Sequence, residues 1–192
     1  MEKVDTLDVD KTGTLTEGRP TVTDIVATGT RSQDDLLRLA AGVERASEHP
    51  LALAIVEAAT TRSLDVPDVT DFDSPVGRGA QGTVDGHRIV LGSATFLDSH
   101  GIDSTAARET ADHLRGDGAT VIYIGIDNQL AGLFAIADPI KATTPDALKA
   151  LRADGIHVVM LTGDNQVTAH AVAATLGIEQ VEAEVLPDHK CD

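Results

Sequence analysis

The sequence predicts an α/β protein in which a parallel-sheet domain is interrupted by an inserted α+β domain built on an antiparallel sheet. Three observations predict it. The short apolar-leaning run 4–9 ends in Asp10 and a polar, glycine-bearing turn, the pattern of a strand that delivers a side chain to the rim of a sheet. Residues 144–183 alternate helix-like and strand-like patterns, as a parallel α/β sheet does. Between them lie two hairpin signals, Asp85-Gly86 and Asp127-Asn128, which belong to antiparallel pairing.

Residues 4–9 are the first strand, and Thr16-Glu17-Gly18-Arg19-Pro20 leaves it with a Gly and a Pro that suit a hinge. Residues 21–27 alternate as a second strand. Ser32, with Asp35 three residues on, caps a helix that runs to about Arg45, its apolar face carried by Leu36, Leu37, Leu39, Ala40 and Val43. Pro50 opens an Ala-rich helix over 51–61. Strands follow at 69–76 and 80–91, the latter folded back at Asp85-Gly86, then helices at 93–99 and 104–115, and a hairpin of 120–126 with 130–137. The last part reads as helix 144–153, strand 157–161, helix 166–176 and strand 180–183. The strand ending at Asp10 belongs in that same sheet, which sets domain limits of 1–20 and 135–192 around an insertion at 21–134.

Composition bounds the function. With 42% hydrophobic residues the chain can bury a core, and with 2% aromatics and no Trp that core is built from Ala, Val, Ile and Leu. A net charge of −16, from 31 acidic against 15 basic residues, argues against nucleic-acid binding. The single cysteine, Cys191, excludes a disulfide framework and a cysteine metal cluster and fits a reducing compartment. No apolar run approaches the ~20 residues of a membrane-spanning helix.

The chemistry centres on Asp10-Lys11-Thr12-Gly13-Thr14-Leu15-Thr16. A carboxylate of ordinary pKa is ionised at neutral pH and needs no base to act as a nucleophile. A following Lys, three Thr and a Gly supply charge, donors and a bendable backbone for a phosphate. Asp-Lys-Thr-Gly is equally good turn material, so the heptad alone leaves a plain turn and a phosphoryl site open. As a whole, however, it resembles the phosphorylation signature of P-type ATPases, members of the haloacid dehalogenase superfamily. The resemblance implies that Asp10 accepts the γ-phosphate of ATP, with Asp10 and Thr12 holding Mg2+. Asp8-Val9-Asp10-Lys11-Thr12 also fits the Asp-x-Asp-x-Thr of the superfamily's phosphatases, which would make Asp8 the nucleophile. Aligning on Gly13-Thr14-Leu15 puts Asp10 in that place, and the Thr two residues later cannot shuttle protons, which suits a lasting phosphoenzyme. An acidic Asp8 is unexpected in a central parallel strand buried on both faces.

Further segments extend the resemblance in family order. Thr162-Gly163-Asp164-Asn165, by itself a strand-to-helix turn with a cap, is similar to the second phosphate-contacting segment, with Thr162 on the phosphoryl group. Leu186-Pro187-Asp188-His189-Lys190 is similar to the segment of the superfamily's lysine, making Lys190 a charge partner of the aspartyl-phosphate. Asp138-Pro139-Ile140-Lys141 resembles the hinge motif opposite residues 16–20. Ser47-Glu48-His49-Pro50-Leu51 resembles the motif of the heavy-metal branch, where the His orients ATP and a Glu five residues upstream, here Glu44, meets the adenine. Gly77-Arg78-Gly79-Ala80-Gln81-Gly82 is weak evidence for a dinucleotide fold, since a strand and not a helix follows; it fits close backbone approach to the adenosine. Gly92-Ser93 stands where that branch has Gly-Asn, and the Ser can donate one hydrogen bond.

The resemblance therefore implies a discontinuous haloacid dehalogenase-like phosphorylation domain with an inserted nucleotide-binding domain. It implies ATP and Mg2+ as ligands, a place at the cytoplasmic face of a membrane, and transmembrane and actuator domains and a transported metal ion, Cu(I), bound elsewhere in the parent. The fourth superfamily motif, which supplies carboxylates to Mg2+, is expected beyond Lys190 and does not occur in the chain, so poor phosphorylation is expected with nucleotide binding retained. Two other classes stay open: a soluble phosphatase with 21–134 as its cap, and an ATP-binding module without catalysis.

Overall fold

A computed structural model of the protein describes residues 5–75 and 77–185. Among these the chain divides into two compact units, one of residues 5–19, 115–120 and 138–185, the other of 20–75, 77–114 and 121–137.

The first unit is built on a parallel sheet of β1 (Thr6–Asp10), β8 (His157–Leu161) and β9 (Gln180–Glu182), in the order β1-β8-β9. α5 (Thr144–Ala153) leads into β8, and α6 (Gln166–Leu176) connects β8 to β9. Leu148 from α5, Met160 from β8 and Ala169, Ala173 and Leu176 from α6 form the core with Leu15 and Ile178. Asn165 caps α6, its side-chain oxygen accepting from Val167 N–H at 2.9 Å, and Gly177 ends the helix in the left-handed conformation.

One expectation changes here. β1 pairs only with β8 among the described residues, so it is an edge strand there, and Thr6, Leu7 and Asp8 are exposed. Asp8 thus keeps its water, and the desolvation cost that made a charge look out of place does not arise.

The second unit is an antiparallel sheet of six strands. These are β2 (Thr21–Ala27), β3 (Val69–Asp73), β4 (Gly79–Val84), β5 (His87–Gly92), β6 (Thr120–Ile126) and β7 (Gln129–Ala137), in the order β2-β7-β6-β5-β4-β3. Strict alternation buries both faces. Ile89, Leu91, Ile122, Ile124, Phe134 and Ile136 meet α1 (Gln33–Glu44) and α2 (Pro50–Thr61), while Val90, Val121, Tyr123 and Leu133 meet α3 (Ala94–Ser99) and α4 (Arg108–Gly116). The turns are those expected: Asp85 and Gly86, and Asp127 and Asn128, all take positive φ. Strand β3 is shorter than the alternation suggests, with a register shift between Thr70 and Asp73 and Asp71 at φ 54°. The helix expected from Ser104 opens with a 3-10 turn at Thr105–Ala107 before α4. Among the described residues no helix is long and apolar enough to cross a membrane.

Candidate functional site

The parallel strands β1 and β8 run in register, Asp10 opposite Leu161, so Asp10 and the turn Thr162-Gly163-Asp164 leave the same rim of the sheet. Thr12 (φ −75°, ψ 123°) and Gly13 (φ 75°, ψ −11°) form a type II turn, whose second central residue needs the positive φ that glycine adopts freely. Lys11 is buried, and its ammonium is ion-paired with Asp164 Oδ2. Asp164 Oδ2 also accepts from the buried Thr162 hydroxyl at 3.1 Å, Oδ1 from Thr120 Oγ1 at 3.1 Å, and Asp164 N–H donates back to Thr162 Oγ1 at 3.2 Å. Because Asn165 is the helix cap, the Asp164 carboxylate is left for Lys11. The positive charge next to Asp10 is therefore held in place by the neighbouring loop.

The segment after Asp10 is tied to the hinge motif. Asp138 takes three donors: the Thr16 hydroxyl at 2.5 Å, Gly18 N–H at 3.2 Å and Arg19 N–H at 2.9 Å. Lys141 Nζ donates to Gly13 O at 2.5 Å, and Leu15 O accepts from Lys141 N–H at 3.1 Å and Thr144 Oγ1 at 2.8 Å. Thr120 and the Lys141 side chain were absent from the residues singled out for chemistry. The hinge motif already held Lys141, whereas Thr120 has no local signal, since its partner lies 44 residues on. Lys190 lies outside the described residues.

In the other unit, Glu44 closes α1 and is buried; burial raises its pKa from 4.5 to about 7, against a smaller lowering by a hydrogen bond from Ser47. His49 is the N-cap of α2, directly before Pro50 at the first helical position, and its Nδ1 accepts from Leu51 N–H at 3.2 Å. An accepting Nδ1 leaves Nε2 to carry the proton of the neutral ring, and burial of part of the side chain lowers its pKa. The same side chain thus caps α2 and keeps its second ring nitrogen as a donor. Glu48 is exposed.

The glycines divide into two kinds. A Cβ at Gly79 would stand 2.2 Å from Leu91 O and 2.6 Å from the Phe96 ring, at Gly82 2.4 Å from a Val69 methyl, and at Gly92 2.7 Å from Arg78 O. On those faces the space is filled by the chain itself, so these glycines permit strand and helix packing. At Gly77 (φ 71°) nothing comes within 4 Å. Ala80 is buried in the α1–α2 core. Ser93 caps α3, accepting from Phe96 N–H at 3.2 Å.

The model of one family, described as hydrolase: haloacid dehalogenase-like hydrolase, matches residues 4–191. The chain belongs to the haloacid dehalogenase-like hydrolases. Within them it is similar to metal-transporting P-type ATPases. It is 54% identical over 190 residues to a silver exporting P-type ATPase of Salmonella typhimurium and 52% identical over 190 residues to a copper-transporting P-type ATPase of Rhizobium leguminosarum bv. viciae. Each match covers 99% of this chain and 23% of the relative. The hydrolase chain thus spans about a quarter of the length of those relatives. Among solved structures it resembles a zinc-transporting PIB-type ATPase in the E2.Pi state (TM-score 0.73, 35% identity, 97% of this chain and 30% of that one). It also resembles the catalytic domain of the CPx-ATPase CopB-B, studied upon nucleotide binding (TM-score 0.70, 26% identity, 97% and 65%).

The family's Mg2+ finds an incomplete set of ligands in this hydrolase chain. Among the described residues no three Asp, Glu, His or Cys groups converge. Asp10 and the Thr12 carbonyl would supply two oxygens, and the Asp164 carboxylate is committed to Lys11. The described residues alone do not fit the ion.

Proposed function

We propose that this chain is the ATP-binding and phosphorylation region of a heavy-metal-transporting P-type ATPase with Cu(I) as cargo. Residues 21–134 bind ATP, and 1–20 with 135–192 present the nucleophile. The observation that carries the reading is the shared rim of β1 and β8: Asp10 opposite Leu161, with Lys11 buried against Asp164 in the adjoining turn. An Asp10 carboxylate oxygen attacks the γ-phosphorus, the bond from that phosphorus to the β–γ bridging oxygen breaks, and ADP leaves with the electron pair. Lys11, Thr12, Thr162, Gly163 and Asp164 are assigned to the phosphoryl group, and Lys190, outside the described residues, is assigned to it by the resemblance alone. Glu44, Glu48, His49, Gly77 and Ser93 are assigned to the nucleotide side, and Gly79, Ala80, Gly82 and Gly92 support it through their packing. The silver- and copper-transporting names of the relatives support a soft monovalent cargo, held in parts of the parent beyond this chain, next to its transmembrane and actuator domains.

Asp8 as nucleophile, the phosphatase reading, has less support: its register partner is Val159, two residues short of the rim. The test is an ATP titration followed by backbone amide NMR on wild type and His49→Gln. Saturable shifts at Glu44, His49 and residues 77–82, weakened by the substitution, support the reading. A folded sample without such shifts rejects the nucleotide site and favours the phosphatase.

A further inference from the structure

Arg78 stands between Gly77 and Gly79, and nothing above gives it a role. Its turn is pinned by its own unit. Arg78 N–H donates to Pro75 O at 3.1 Å, and Ser74 Oγ donates to Gly79 O at 3.2 Å. The Arg78 carbonyl occupies the place of a side chain at Gly92, and Gly79 (φ 157°) is wedged against Leu91 O and the Phe96 ring. At Gly77 the turn meets open space. An exposed guanidinium is thus carried by a backbone that has little freedom to move.

Most other arginines of its unit are held by partners, Arg108 excepted. In the same unit Arg31 pairs with Asp35, Arg38 with Asp35 and Asp85, Arg45 with Asp68 and Arg62 with Asp34, while Arg88 is held by Asn128 and Gln81. The Arg78 guanidinium has no ion pair or side-chain hydrogen bond among the described residues, in a chain with a net charge of −16. An unpaired guanidinium on a pinned backbone matches a polyphosphate, whose oxygens it can take two at a time, and it offsets the repulsion between so acidic a protein and its anionic ligand.

We propose that Arg78 is a binding residue that receives the polyphosphate chain of the bound nucleotide and so separates ATP from adenosine. This rests on the reading of the antiparallel unit as the ATP site. The experiment titrates the 192-residue chain with ATP, ADP, AMP and adenosine by NMR, for wild type, Arg78→Ala and Arg78→Lys, with circular dichroism to verify folding. Arg78→Ala is expected to weaken ATP about tenfold and to leave adenosine within about twofold, with Arg78→Lys between wild type and Arg78→Ala for ATP. Unchanged ATP affinity in Arg78→Ala overturns the proposal and leaves the nucleotide reading standing. Equal losses for ATP and adenosine overturn it too, since they mark a structural role. If wild type binds neither ligand, the nucleotide reading fails and the proposal falls with it.

Discussion

Glu44 is a carboxylic acid that burial holds half protonated near neutrality. Its folded-state pKa of about 7 lies above the 4.5 of an unperturbed glutamate, so between these values the folded chain binds a proton that the unfolded chain has released. Stability from this group is complete below pH 4.5 and is lost as pH rises through 7, by about 3 kcal/mol for such a gap. Glu44→Gln is neutral throughout, so its urea midpoint should fall less than that of wild type between pH 5 and 8; parallel curves would assign the pH dependence to other groups. Asp10 and Asp8 make a second contrast at this scale. On the proposed reading, in a full-length transporter carrying this region, Asp10→Asn should abolish the acid-stable phosphoenzyme formed from radiolabelled ATP, and Asp8→Asn, exposed in the described structure, should preserve it. The reverse result would favour the phosphatase register.

At the scale of elements, stability depends on close approach and on caps. Gly79→Ala would press a methyl group against Leu91 O and the Phe96 ring in a backbone conformation that L residues rarely adopt. The expected loss is about 3 kcal/mol or more in chemical denaturation, and a loss under 1 kcal/mol would mean that α3 can move off β4 and β5. Ser32 caps α1, accepting from Asp35 N–H at 3.1 Å, so Ser32→Ala should cost about 1 kcal/mol in the same measurement. Both positions are legible in the sequence, for different reasons. Ser32 announces itself by its spacing to Asp35, whereas the glycine spacing of 77–82 suggests room for a ligand, and the structure fills the Cβ side of Gly79 and Gly82 with Phe96 and Val69.

At the scale of the whole molecule the two functions separate. On the proposed reading ATP binding depends on groups within the antiparallel unit, whereas phosphoryl acceptance needs Mg2+, for which the described residues supply too few oxygens. The 192-residue chain should therefore bind ATP with unchanged affinity in the Asp10→Asn variant and incorporate little radiolabelled phosphate even as wild type. Efficient labelling at Asp10 would show that two protein oxygens, with water and the nucleotide, are enough to hold the ion.

The strand that ends at Asp10, the cap at Ser32, the helix start at Pro50, the hairpin turns at Asp85-Gly86 and Asp127-Asn128, and the order of the motifs were determined by the sequence itself. Each depends on backbone preferences and hydrogen bonds within a few residues, and the alternation of β5 to β7 announces two buried faces without reference to what covers them. Tertiary structure decided the rest. It made Asp8 an edge residue, paired Lys11 with Asp164 and sewed Thr16 to Asp138. It raised the pKa of Glu44 by burying it and filled the Cβ side of Gly79 with Phe96. Burial, desolvation and ion pairing are properties of a neighbourhood, and the neighbours here lie up to about 150 positions away along the chain.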